Sequence, residues 1–196
     1  MRRRGFIGAV GAAALARPAL AQPAGARTLR FLPIADLGVL DPIVTTTYIT
    51  RNHGYLVWDT LYGLDEQVRA RPQMAEGHSV EEDGRRVSIR LRPGLRFHDG
   101  APITAEDAVW TFDALRAQGR PFYRAYWADV AEAVAEGPRR AVFRFKDDGN
   151  RELALILGQL NVLPRHWWEG RDFARPTLDA PLGSGPYRVE RFEAGR

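Results

Sequence analysis

Val80-Glu81-Glu82-Asp83-Gly84-Arg85-Arg86-Val87-Ser88-Ile89-Arg90-Leu91 carries two signals at once. Asp-Gly is a tight-turn dipeptide. From Val87 to Leu91 apolar and polar residues alternate strictly, the period of a strand with one buried face. The stretch predicts a hairpin that turns around Asp83-Gly84. The same logic predicts a second hairpin at Gly137-Pro138, joining Val130–Ala135 to Ala141-Val142-Phe143-Arg144-Phe145. Two further strands are expected, Thr28–Ile34 near the start and Tyr187–Phe192 near the end.

Helical patterns lie between the strands. Thr45 to Leu61, after the Asp41-Pro42 break, presents Tyr48, Leu56, Trp58, Leu61 and Tyr62 as bulky apolar side chains. Thr104 stands at a helix start with Asp107 three residues on, a capping-box arrangement. Ala108, Val109, Phe112 and Leu115 then form one apolar face. Asn150 is placed to cap a helix through Leu157. Pro164 is placed to open a short one over Arg165–Glu169, stopped by Gly170. Short antiparallel strands mixed with helices make this a mixed α/β (α+β) body.

The composition narrows the function. The 196 residues suffice for one domain or slightly more, and 45% are hydrophobic, enough to fold. There is no cysteine, which excludes disulfides, thiol nucleophiles and cysteine-ligated metals. Four of the 28 basic residues, Arg2, Arg3, Arg4 and Arg17, lie in the first 21, which hold no acid; the other 24 balance the 24 acidic residues. A neutral body lacks the surplus that neutralises nucleic-acid phosphates.

Residues 1–21 read as a secretory signal peptide: a basic head, a Gly/Ala-rich apolar stretch from Gly5 to Ala16, and Ala19-Leu20-Ala21 as a small-x-small site cleaved after Ala21. Arg3-Arg4-Gly5-Phe6-Ile7 resembles the twin-arginine signature, with an ordinary Sec signal as the alternative. Either route exports the protein, to the periplasm. No second apolar run is long enough to span a bilayer, so no transmembrane segment is expected in the mature chain.

Catalytic patterns fail on inspection. Gly183-Ser184-Gly185 is not a nucleophile elbow, because Leu182 and Pro186 occupy the positions that need glycine; it predicts a tight turn into the last strand. No phosphate loop exists, and His53, His78, His98 and His166 show no metal-ligand spacing. His98-Asp99 reads as a polar turn ahead of an acid/base pair, and Glu81-Glu82 and Asp147-Asp148 as solvated hairpin shoulders. Phe122-Tyr123-Arg124-Ala125-Tyr126-Trp127, outside any clear helix or strand, is either core or the lining of a cleft. Trp167-Trp168 reads as packing.

Met74-Ala75-Glu76-Gly77, Glu82-Asp83-Gly84, Ile89-Arg90-Leu91-Arg92-Pro93-Gly94-Leu95-Arg96-Phe97-His98-Asp99-Gly100 and Ile103-Thr104-Ala105-Glu106-Asp107 together resemble the extracellular solute-binding proteins of family 5, the peptide- and nickel-type ABC importer receptors. Leu40-Asp41-Pro42, Leu163-Pro164-Arg165-His166 and Gly183-Ser184-Gly185-Pro186-Tyr187 match in the expected order. Pro93 departs from the charged or polar residue usual there. Residues 28–112 are similar to dipeptide/oligopeptide-type members, and 113–196 to the branch that binds microcin C-like and longer peptides.

The resemblance implies an incomplete type II periplasmic-binding-protein fold: part of lobe I with its inserted subdomain, and lobe II missing. The implied boundaries are 22–45 for the start of lobe I, 46–180 for the inserted α+β subdomain and 181–196 for a truncated return. It implies ligand contacts from Asp36, Leu37, Gly38 and Val39, and from Tyr123, Tyr126 and Trp127. It implies a peptide or similar small solute as ligand, ABC permease membrane subunits as partners, a monomer when complete, and no cofactor, metal or catalytic residue. An exported hydrolase of peptides or glycans and a lone-lobe protein-interaction module are the alternatives.

Overall fold

The computed structural model describes residues 48–67, 69–146, 152–173, 175, 179–191 and 193. The leader, the expected strand Thr28–Ile34, Asp36–Val39, the Asp41-Pro42 break, Asp147-Asp148, Asn150 and Phe192 lie outside the described residues. Helix α1 (Tyr48–Val57) leads into a two-stranded sheet, β1 (Tyr62–Leu64) against β2 (Ala70–Pro72). Then follow β3 (Ala75–Glu81), β4 (Arg86–Leu91), α2 (Ala105–Gln118), α3 (Pro121–Tyr126), β5 (Val130–Ala135), β6 (Arg140–Phe145), α4 (Leu153–Gly158) and α5 (Arg165–Trp168). Strands β3, β4, β6 and β5 form one antiparallel sheet in that order.

Both expected hairpins are present. The first turns through Glu82, Asp83 and Gly84, all with positive φ (54°, 55° and 95°). Three successive left-handed residues reverse the chain tightly, and only the glycine does so without strain. Beyond the turn, Val87 pairs with Phe143 and Ile89 with Ala141, all buried, on the inner face of the sheet. Helix α2 covers that face. Phe112 meets Phe143 edge-on at 5.4 Å and Trp127 at 4.9 Å. Burial of each such ring is worth roughly 2–3 kcal/mol.

The alternate residues make the outer face, in three rows across the strands. Glu81, Arg86, Arg144 and Glu132 form one row; Ser79, Ser88, Val142 and Val134 the next; Gly77, Arg90 and Arg140 the third. Within the middle row Val142 is fully buried and Ser88 nearly so, while Ser79 is exposed and Val134 half-buried. Arg86 spans that row. It pairs with Glu81 in its own row, and it reaches across the middle row to Glu136 with bonds of 2.9 and 3.1 Å. Its guanidinium thus ties the first row to Glu136, which stands beside Arg140 in the third. Glu136 first, and then Glu81, hold the guanidinium even more firmly protonated than usual, against partial burial.

Helix α2 begins as its sequence indicates. The Asp107 carboxylate accepts from the Thr104 N–H and hydroxyl, both at 2.9 Å, and from the Arg165 N–H at 3.3 Å. The same carboxylate thus starts α2 and holds α5 beside it. One turn on, Thr111 faces the core instead of solvent. Its hydroxyl donates to the Asp107 carbonyl at 2.7 Å and accepts the Leu163 N–H at 3.0 Å.

Four expectations need correction. The segment Tyr187–Arg191 is no strand among the described residues: the Tyr187 N–H bonds the Leu56 carbonyl at a helix end instead of a ladder. The aromatic run 122–127 lies on a helix, α3, because Pro121 at its first position has a preset φ and no N–H to satisfy. Helix α1 ends at Val57, four residues before Leu61, because its last carbonyls are capped by residues from far along the chain. Gly183-Ser184-Gly185 is that cap, and no strand follows it among the described residues. Strands β1 and β2 were not anticipated.

Thr111→Val keeps the shape but leaves the buried Leu163 N–H without an acceptor. We expect a loss of about 1–3 kcal/mol, read as a lower urea midpoint at unchanged slope. A loss within error of zero would mean that Leu163 finds another acceptor.

Candidate functional site

Helix α3 carries the three aromatic residues singled out in the sequence, and it divides them. Trp127, just past its end, is 3% exposed and packs on Phe112. Tyr123 is half-buried, 5.1 Å from Trp127, and Phe122 packs on Tyr123 at 4.1 Å. Tyr126 is 52% exposed and Phe122 44%. A file of rings therefore runs from Phe143 through Phe112, Trp127 and Tyr123 to Phe122 at the surface. Trp127 belongs to the core, and its indole N–H has no partner there. Tyr126 and Phe122 are the rings α3 offers to the outside. Asp36, Leu37, Gly38 and Val39 lie outside the described residues.

A groove of about 330 Å³ lies on the other side of α2, lined by Trp110, Asp113, Ala114, Ala117, Gln118, Trp168, Arg171 and Phe173. None of the expected ligand residues lines it. Phe173 stands edge-on to Trp110 at 5.7 Å and 4.9 Å from Trp168. Arg171 stacks over Trp167 at 3.9 Å and pairs with Asp179 at 2.6 Å. Burial pushes the Asp113 carboxyl up, and Arg116 at 3.1 Å opposes it. The sequence reading missed this groove. Its one signal was Ala114 and Ala117, small residues one turn apart, one turn beyond Trp110.

The Gly183-Ser184-Gly185 turn is held from both sides. Val57 O accepts both the Ser184 N–H at 2.9 Å and the Gly185 N–H at 2.7 Å. Trp58 Nε1 donates to the Leu182 carbonyl at 3.0 Å, and the Asp59 N–H to Ser184 Oγ at 3.0 Å. On its other side His98 donates its N–H to the Gly183 carbonyl at 2.8 Å, and its ring reaches the Gly185 carbonyl at 2.8 Å. A carbonyl only accepts, so Nε2 carries the proton there. The approach requires glycine: a Cβ on Gly183 would sit 2.0 Å from Val57 O, and one on Gly185 2.7 Å from Leu56 O.

The adjacent turn extends the connection. Asp99 Oδ2 lies 2.7 Å from His166 Nε2 on α5. The Asp99 carboxyl is held below its usual value: partial burial pushes it up, but the Ala101 N–H and the His166 ring outweigh that. Asp59, half-buried beside this turn, is pushed up by burial, with Gln73 and His98 opposing. Asp59, His98 and Ser184 thus come close together, but not as a nucleophile and its base: Ser184 Oγ is an acceptor for Asp59 N–H, and His98 Nε2 is committed to a carbonyl. His98-Asp99 is a polar turn in the structure. No group of three or more His, Asp or Glu side chains among the described residues is arranged to hold a metal ion, and no helix among them is long and apolar enough to cross a membrane.

Comparison with known proteins defines the class. Residues 69–196 match the sequence pattern of the bacterial extracellular solute-binding proteins, family 5 (middle region). The chain belongs to this family. It is 37% identical over 149 residues to a probable peptide-binding protein, YejA, of Agrobacterium fabrum, covering 71% of this chain and 24% of that protein. It is 30% identical over 168 residues to a peptidoglycan-binding protein, YepA, of the same organism, covering 80% and 27%. In fold it is similar to the oligopeptide-binding protein AppA of Bacillus subtilis, solved with a nonapeptide: TM-score 0.73, 21% identity, 83% of this chain and 34% of that chain. The chain spans about a quarter of the length of these curated relatives. The expected fold class holds: a mixed α/β body matching part of a periplasmic-binding-protein fold.

Two outcomes follow for the neck formed by α1 and the 182–187 segment. Gly183→Ala forces a methyl group into the Val57 carbonyl, and we expect it to cost about 3 kcal/mol. Gly77→Ala, where a Cβ would meet nothing within 4 Å, is the control and stays within about 0.5 kcal/mol. Equal urea midpoints for the two variants would show that the neck yields. The second outcome concerns pH. A carboxyl depressed by folding stabilises the fold above its ordinary pKa, near ~3.9, and that stabilisation is lost as pH falls through the lower folded value. The gap in urea midpoint between the protein and Asp99→Asn should be open at pH 7 and close as pH drops below ~3.9. A gap constant across that range would mean that Asp99 acts by packing alone.

Proposed function

We propose that the chain is the first-lobe portion of a substrate-binding component of an ABC importer. It captures peptides or similar small solutes outside the cytoplasm and delivers them to permease membrane subunits, acting as a monomer and not as an enzyme. In this reading residues 1–21 are an export signal of the twin-arginine kind, cleaved after Ala21. Residues 22–45 open lobe I, 46–180 form its inserted subdomain, and 181–196 return to lobe I. The observation that carries the reading is the family match over residues 69–196. The names of the relatives, a peptide-binding and a peptidoglycan-binding protein, support peptides as the ligand class. The second name favours one variant of the reading, a peptide released from the cell wall.

Asp36, Leu37, Gly38 and Val39 are proposed to face the ligand. From α3 the proposed contact is Tyr126, with Phe122 beside it, since Trp127 is committed to the core. Extended peptides bind largely through their main chain, which accepts many side chains, while an exposed aromatic ring adds apolar contact.

Receptors of this kind close on their ligand. In small-angle scattering, the full-length gene product should lose radius of gyration when saturated with a peptide mixture, and Tyr126→Ala should shift the half-saturating concentration upward about tenfold. A radius unchanged at saturation, across both free peptides and cell-wall peptides, sinks the receptor reading. Closure with an unaltered half-saturation in Tyr126→Ala keeps that reading and removes α3 from the ligand site.

A further inference from the structure

The outer face of the sheet treats its two arginine pairs differently. Arg86 is directly opposite Arg144, and Arg90 is directly opposite Arg140. Like charges placed across a ladder repel, so each pair needs compensation. At the first pair four carboxylates supply it: Glu81 and Glu136 on Arg86, and Glu82 and Glu132 on Arg144 at 3.6 and 3.5 Å.

At the second pair the compensation is thin. Arg139, in the turn beside it, adds a third guanidinium. Among the described residues, Arg90 and Arg139 share a single carboxylate, Glu76, at 3.9 and 3.7 Å. Both distances are too long for a hydrogen bond. Among the described residues the ion pair of Arg140 is with Glu136, at 3.6 Å, and Glu136 is already bound at both oxygens by Arg86; Glu81 acts on Arg140 from further away. All three guanidiniums are at least 39% exposed. Beside them Gly77 leaves the surface open: a Cβ there would meet nothing within 4 Å. The two ends of one face therefore differ in sign, acidic at the β3–β4 turn and basic at the β5–β6 turn.

We propose that Arg90, Arg139 and Arg140 form a binding site for a phosphate-type oxyanion. Guanidinium groups present paired N–H donors that match phosphate oxygens, and an oxyanion seated between Arg90 and Arg140 removes their mutual repulsion. The open notch at Gly77 gives it room. The chemistry is the same for a free phosphate or phosphate ester and for the headgroup of an anionic phospholipid, so the test separates the two sources.

Inorganic phosphate is titrated into the full chain at constant ionic strength, with chloride as the balancing anion, while the arginine side-chain N–H signals are followed by NMR. The signals of Arg90, Arg139 and Arg140 should shift saturably. The double variant Arg90→Gln with Arg139→Gln should weaken binding about tenfold or more, and Arg144→Gln, at the compensated end, should leave it unchanged. In parallel, co-sedimentation with phosphatidylglycerol vesicles reads the headgroup source. Phosphate binding without vesicle binding assigns the site to a free phosphate or ester; vesicle binding lost in the double variant assigns it to a lipid headgroup. No response in either arm overturns the proposal, and so does an equal loss in Arg144→Gln, which would show only a general effect of charge.

Discussion

The carbonyl of Val57 accepts two N–H groups from a turn that arrives late in the chain, and the body between them depends on that meeting. The neighbouring Asp59 and Ser184 are 125 residues apart in sequence. Closing a flexible loop of that length costs roughly 4 kcal/mol in chain entropy. Seven hydrogen bonds at the neck, from Val57, Leu56, Trp58, Asp59 and His98, each contribute about 1 kcal/mol net. The balance is favourable by only a few kcal/mol, so losing about three of these bonds together would cancel it. The glycines make the bonds reachable. A side chain at either position would hold the turn away from the carbonyl and disable several bonds together.

How much of this was legible follows from range. The two hairpins, the start of α2 and the Pro164 helix are set by residues within a few positions of each other, and the sequence shows them. Asp-Gly with an alternating strand, Thr104 with Asp107, and Pro164 ahead of Trp167-Trp168 are local statements. The end of α1 is not local: Trp58 and Leu61 continue its apolar pattern, and only the distant Gly183-Ser184-Gly185 stops it. Gly183-Ser184-Gly185 predicts a tight turn, and a tight turn it is, but glycine marks a close approach without naming what is approached. Strands β1 and β2 are three residues each, too short for a periodic signal. What fixes them is the turn between, where Asp65 accepts the N–H groups of Gln67 and Arg69 and the side chains of Arg69 and Arg71.

The candidate site shows the same division. A dense aromatic run announces that rings matter but not which way each points. Helical geometry decides that: Phe122 and Tyr126 are four residues apart and share the outer face of α3, while Tyr123 and Trp127, also four apart, share the inner one. Once Pro121 is recognised as a first helical position, the split of the trio is a consequence of spacing. The outer sheet face has a parallel logic. Alternation predicts that Arg86, Ser88 and Arg90 face away from the core. That Arg86 is bonded to Glu136, while Arg90 is not, depends on Glu136 arriving just past the end of β5, and no pattern within β4 encodes it.

The neck also limits which motions the body can make. The 182–187 segment is fixed to α1 on one side and to His98 on the other, and Asp99 continues the connection to His166 on α5. Separating the return chain from α1 would break the Val57, Leu56 and Trp58 bonds at once and leave the helix-end carbonyls bare. That is far costlier than rotating a few unconstrained dihedrals elsewhere. Bending within residues 56–59 and 182–187 is therefore disfavoured, and α1, the 97–100 turn and α5 are tied to one another through that segment. In this architecture the glycine turn is the rigid element, because its bonds hold α1 and the 97–100 turn at the same time.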